Sequence, residues 1–203
     1  MADHDDTAAA PLPPELEAVL AQLADAGRAA EGLAGALTAE QGAWRPAPAA
    51  WSVAECLDHL ATANRVYLGA MEPAAARARQ LGRMRRRPAT PGWAGRLFVA
   101  SLEPPPRWWN RLPAPRSIRP RPAPALADAH AAFLSAHAAV RDHLLRNADL
   151  DLAGVRFRNP FVPVARFSRA TGLHVIVAHE RRHLAQAERV RRAAVAALPP
   201  APG

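Results

Sequence analysis

Two histidines four residues apart, His179 and His183, are the side chains of this sequence best suited to chemistry. A helix turns about 100° per residue, so positions i and i+4 lie about 40° apart on one face. Two imidazoles placed this way can hold one metal ion between them. Gln186 follows three residues later, within reach of a ligand histidine or a substrate. A third imidazole is available in His59, on a helix that opens at Trp51-Ser52. Burying His179 and His183 without partners would cost about 1–3 kcal/mol each, and a shared ion removes that cost. Two core histidines bonded to carbonyls or water would satisfy the same positions, so the spacing alone leaves both readings open.

Four helices are expected to position these groups. The first opens at Pro13-Pro14 and carries an apolar stripe of Leu16, Val19, Leu20, Leu23, Gly27, Ala30, Ala34 and Leu37. The second, about 53–81, begins with Ser52-Val53-Ala54-Glu55, a capping box in which Ser52 and Glu55 satisfy each other's amides. Val53, Leu57, Leu60, Asn64, Tyr67, Leu68 and Met71 share one of its faces, with His59 to one side, near Cys56 and Ala63. The third, about 125–147, turns Leu126, His130, Phe133, His137, Val140 and Leu144 inward. The fourth, about 168–197, collects Val175, Ile176, His179, His183, Gln186, Ala187, Val190 and Ala194 on its inner face. Its outer face carries Arg181, Glu188, Arg191 and Arg192.

The connections differ in kind. Residues 38–50 contain Pro46 and Pro48 and read as a link, and 149–167 read as a turn-rich link with Asn159-Pro160 and Pro163. The segment 82–124 is rich in Pro and Arg, with room for a short amphipathic helix from Trp93 to Leu102. A connection of that length can return along a whole bundle and join parallel helices. The expected fold is therefore all-α: a four-helix bundle over 14–197 with a long crossover between its second and third helices. Residues 1–13 and 198–203 read as disordered ends.

Composition narrows the function classes. Half of the 203 residues are apolar, with Ala prominent and aromatics only 5%, which suits closely packed helices. The formal net charge is +8, and every basic residue is Arg. The arginines are dispersed, which argues against nucleic-acid binding. A single cysteine, Cys56, excludes an internal disulfide and a cysteine-rich zinc module. The acidic, polar start is not a signal peptide and no apolar run reaches membrane length, so the expected location is the cytoplasm.

Trp51-Ser52-x-x-Glu55-x-x-x-His59-Leu60 and His179-x-x-x-His183-x-x-Gln186, in this order, resemble the DinB-like superfamily of small four-helix-bundle proteins. The likeness covers roughly 15–197. Leu150-Asp151-Leu152 and the stretch His179 to Val190 resemble its DinB-2 branch more than its founding members. The resemblance implies that His59, His179 and His183 coordinate one divalent metal at one end of the bundle. Zinc or nickel would suit three imidazoles, with iron or manganese as further options. Relatives include bacillithiol and mycothiol transferases and a mycothiol-dependent isomerase; many others have no established activity. The implied function is a metal-dependent enzyme, a thiol-dependent S-transferase or related hydrolase acting on a small molecule, with a low-molecular-weight thiol as co-substrate. The alternative is a non-catalytic, metal-stabilised bundle serving in binding or stress response. A homodimer is plausible for the family. The long 82–124 segment departs from the shortest members and is expected to cover or reshape the site mouth.

The other candidates each have a structural reading beside the functional one. His130, His137, Gln186 and Glu55 are the candidate catalytic residues. His130 and His137 lie within about 20° of each other on the third helix and could serve as acid–base groups, as ligand-orienting groups, as replacement ligands, or as core or cavity histidines. Glu55 is accounted for by its cap, and Cys56 by a small buried hydrophobe. Arg182, at the edge of the metal face, and the run Arg85-Arg86-Arg87 could hold an anion or be solvated. His174 points away from the His179/His183 face; His4 and His143 carry no signal. Trp93, Trp108 and Trp109 are expected to pack the long connection against the bundle.

Overall fold

The computed structural model describes residues 11–104, 114–162 and 164–198. Six helices, α1 (Pro14–Gly35), α2 (Ala39–Ala43), α3 (Val53–Gln80), α4 (Trp93–Leu102), α5 (Leu126–Arg146) and α6 (Arg169–Ala197), account for most of it. Two short strands, β1 (Arg156–Arg158) and β2 (Arg166–Ser168), precede α6. α3 packs on α5 and α6, and α1 packs on the same two, so α1 and α3 sit diagonally across an all-α bundle.

Local chemistry explains the helix ends. Pro14 starts α1, where a missing N–H costs nothing. Ser52 caps α3 through a complete capping box with Glu55, and Ser168 caps α6 by accepting from the Thr171 amide. After the C-cap Leu81 of α3, Gly82, with a φ of 60°, turns the chain without a Cβ penalty. A second capping box, Thr38 with Gln41, builds the short α2. It lies within the stretch expected to be a plain link, because Pro46 and Pro48, which bar a helix, fall just beyond it.

α3 is the central element. Every residue from Ser52 to Ala61 is buried, because α2, α5, α6 and a 3₁₀ turn at Arg116–Ile118 enclose its first three turns. The one-sided stripe expected there is therefore too narrow. Further along, a polar layer crosses the bundle. Glu180, fully buried, accepts from Asn64 Nδ2 at 2.7 Å and faces His137 Nδ1 at 3.1 Å. Apolar clusters lie to either side of it. One is built around Leu23, Met71, Val140 and Ile176, the other around Leu33, Leu57, Phe133 and Leu184.

β1 and β2 pair antiparallel, with Phe157 opposite Phe167. Their three-residue alternation was too short to register as strand. Asn159 pins the loop between them: its Oδ1 accepts from the amides of Phe161 and Val162, and its Nδ2 donates to the Tyr67 hydroxyl at 3.1 Å. α4 lies on α6 at Gly95, where a Cβ would come within 2.5 Å of Thr171 Oγ1. Trp93 does not pack as expected: it is 72% exposed, on the face of α4 turned away from the bundle. Trp108 and Trp109 lie outside the described residues, as does His4. Among the described residues, no helix is long and apolar enough to cross a membrane.

Candidate metal centre

His59 stands on the second turn of α3, and the Ser52–Glu55 cap fixes where that helix begins. His179 and His183 lie one turn apart on α6. The bundle brings these residues, 120 positions apart in the chain, into contact: Nε2 of His59 is 3.2 Å from Nε2 of His179. One ligand atom from each of the three imidazoles lies within 4.8 Å of the other two. The rings meet edge to face, at centroid separations of 4.5–5.0 Å.

What holds each ring decides which nitrogen faces inward. His59 Nδ1–H donates to the Ile118 carbonyl at 2.6 Å, so its Nε2 carries a lone pair. His183 Nδ1–H donates to Gln186 Oε1 at 3.0 Å, with the same consequence. Trp51 packs over both, with centroid distances of 4.7 Å to His59 and 5.7 Å to His183. Ile118 belongs to the long connection, which is locked down beside His59. Asp58 accepts the Arg121 amide and side-chain N–H, each at 2.8 Å.

The three imidazoles are held neutral. Burial pushes His59 down, against the Ile118 hydrogen bond. Burial pushes His179 well below the ordinary histidine value, and the neighbouring His183, His59 and Arg182 add to it. His183 falls to about 3 through burial, helped by His59 and Arg182. Neutral imidazole is the form that binds a metal.

The donor set fits a divalent ion. Metal–nitrogen bonds of about 2.0–2.1 Å in a tetrahedron set nitrogens about 3.3 Å apart, close to the His59–His179 separation. Two of the three rings have their other nitrogen anchored to an oxygen, as metal-binding histidines do.

A sequence model of the DinB superfamily matches residues 22–187. The chain belongs to the DinB superfamily. Neither the curated proteins nor the solved structures hold a match to it. Membership and the three-histidine cluster together fit a metal-binding DinB protein.

The other candidates separate clearly. Gln186 bonds His183. Glu55 is occupied by its cap and by Arg45. His137 is spent on Glu180, and its ring lies against Phe133. His130 lines a different cavity, between α1 and α5 near Leu37 and Leu126. Neither of these two touches the triad. Cys56 is fully buried, and burial pushes its thiol up to about 12, which leaves it unreactive. His174, on another face of α6, has a buried Nε2 without a partner among the described residues. His143, which gave no signal, is nearly inaccessible: Nδ1 donates to Glu72 at 3.0 Å and Nε2 accepts from the buried Arg169 at 2.8 Å.

Sequence reasoning put Trp51 and the 82–124 segment near the site but did not single out the other groups that surround the triad. The Ile118 carbonyl carries no side-chain signal at all. Phe161 and Val162 reach the site only because Asn159 turns the loop over Tyr67, and the Asn159-Pro160 pair was the one available hint. With Phe98, Leu102, Pro115, Ile118, Tyr67 and Val175 they line a cavity of about 360 Å³ that ends on the three histidines.

Proposed function

We propose that this DinB protein is a metal-dependent enzyme in which His59, His179 and His183 hold one divalent ion, zinc or nickel by the all-nitrogen donor set. The observation that carries this reading is the convergence of three neutral imidazoles on the floor of an open, largely apolar cavity. Three protein ligands with a cavity in front of them leave a position for a reactant, whereas a purely structural site is closed by four. A bound ion supplies Lewis acidity there and makes a water or a thiol more acidic.

The chain's own residues do the remaining work. Ile118 and Gln186 hold two rings in the ligating tautomer. Trp51 keeps His59 and His183 from rotating. Phe98, Leu102, Phe161 and Val162 exclude water from the reacting centre and favour an apolar electrophile. The reaction class is a thiol-dependent S-transfer or a related hydrolysis. Family membership supports the first, and the apolar cavity suits either.

The test is metal content of untagged protein by mass spectrometry, beside His179→Ala and His183→Ala variants. About one ion per chain, absent from both variants, is expected. Thiols are then screened against electrophilic substrates. Wild-type protein that stays metal-free after incubation with zinc and with nickel would overturn the reading.

A further inference from the structure

A second cavity, of about 730 Å³, opens on the other side of the triad. It shares Trp51, Ala114, Arg182 and His183 with the apolar one, so the two chambers meet at His183. Their linings differ in kind. Arg45, Arg119, Arg182 and Arg189 surround the second chamber, with Gln186 and Glu55. Among the described residues lining it, Glu55 is the one carboxylate, and it is bonded to Arg45 and to the Ser52 amide.

Arg119 and Arg189 are not in ion pairs among the described residues. They donate to backbone carbonyls, Arg119 to Ala114 at 3.3 Å and Arg189 to Ala185 at 3.0 Å. Such bonds orient a guanidinium without neutralising it. The contrast along α6 is direct: Arg191 and Arg192 both bind Glu188, whereas Arg189, which lines the chamber, binds no acid among the described residues. Guanidinium groups converging on one concavity repel one another and match the paired oxygens of carboxylate or phosphate.

We propose that the arginine-lined chamber binds a small molecule through a carboxylate or phosphate group, next to the triad, while the apolar chamber holds a different, uncharged molecule. The site thus takes two reactants, one on each side of His183. For its part in a reaction this rests on the metal-enzyme reading; binding of the anion does not. A two-reactant site favours group transfer over hydrolysis, since hydrolysis needs one organic substrate and water.

The experiment uses the full chain, succinate as the anion and 4-fluorotoluene as the apolar probe. Calorimetric titration follows succinate and fluorine NMR line broadening follows 4-fluorotoluene. Saturable succinate binding is expected, weakened at least tenfold in the Arg119→Gln/Arg189→Gln variant and weakened by salt. 4-Fluorotoluene should bind equally to that variant and to protein saturated with succinate. Leu102→Asn should weaken 4-fluorotoluene and leave succinate unchanged, with circular dichroism confirming that both variants are folded. Succinate that fails to bind, binds the arginine variant with wild-type affinity, or displaces 4-fluorotoluene overturns the proposal. His179→Ala separates the two readings. Succinate binding retained there upholds the anion chamber even where no metal is found. Metal binding without succinate binding sinks the chamber alone.

Discussion

Two sets of inward-facing histidines lie within one bundle and differ in what they face. His137 and His143 each meet a carboxylate, Glu180 and Glu72, and His143 also accepts from Arg169. Both nitrogens of His143 and Nδ1 of His137 are bonded to side chains of neighbouring helices, and these histidines tie helices together. His59 and His183 are anchored through Nδ1 to oxygens, and they cluster with His179 at the end of a cavity. No carboxylate meets them among the described residues. Burial alone does not separate the sets, since His59 and His143 are both 1% exposed. The second partner does. His137 and His143 each have a carboxylate as partner, whereas His59, His179 and His183 turn toward one another in a group that could hold a cation.

Substitutions in each set test that contrast. The largest effect belongs to the triad: His179→Ala should abolish stoichiometric metal binding, read by mass spectrometry, while His137→Ala should keep it. If both variants lose the metal, the two sets are not distinct. Glu180→Ala should then show the opposite pattern. It strands Asn64 and His137 in the polar layer and should cost about 3 kcal/mol in urea unfolding, with metal content unchanged.

Gln186→Ala should weaken metal binding about 10-fold, the scale for loss of a group orienting a ligand histidine, measured by chelator competition. A stability loss with unaltered affinity would place Gln186 outside the centre. The metal-free protein should lose stability on acidification. His59, His143, His174, His179 and His183 all titrate below the ordinary value of 6.5 when folded. The unfolded chain therefore binds protons first as pH falls through 6.5, and unfolding draws the equilibrium. The melting temperature should hold steady above that pH and fall below it. A flat profile from pH 7.5 to 5 would contradict the buried, neutral assignment. The smallest effect is expected for Ser52→Ala, about 1 kcal/mol from the lost cap, with a small drop in metal affinity because the cap sets the start of the helix carrying His59.

The helical scaffold was legible in the residues. The Ser52–Glu55 box marked the start of α3, and α4 runs from Trp93 to Leu102 as its amphipathic pattern indicates. The i,i+4 histidines on α6 pointed inward as expected. What escaped notice had short or ambiguous local signals. The hairpin strands are three residues each, and α2 is five residues ahead of two prolines. Glu180 lies on the stripe of Ile176, Leu184 and Ala187, yet a charged residue next to Arg181 and Arg182 looks like surface until a buried partner is known.

Helix extents, caps and the pairing of His179 with His183 follow from interactions within a few residues, so they are encoded locally. The meeting of His59 with His179 depends on how α3 and α6 settle against each other. The Ile118 carbonyl reaches His59 only because Arg121 and Asp58 clamp the long connection to α3. The division of the site into an apolar and a cationic chamber arises where α4, the hairpin loop and the α2–α3 link converge around Trp51. Those outcomes were decided by tertiary structure, because contacts between distant segments are set by packing and carry no local periodicity or spacing of their own.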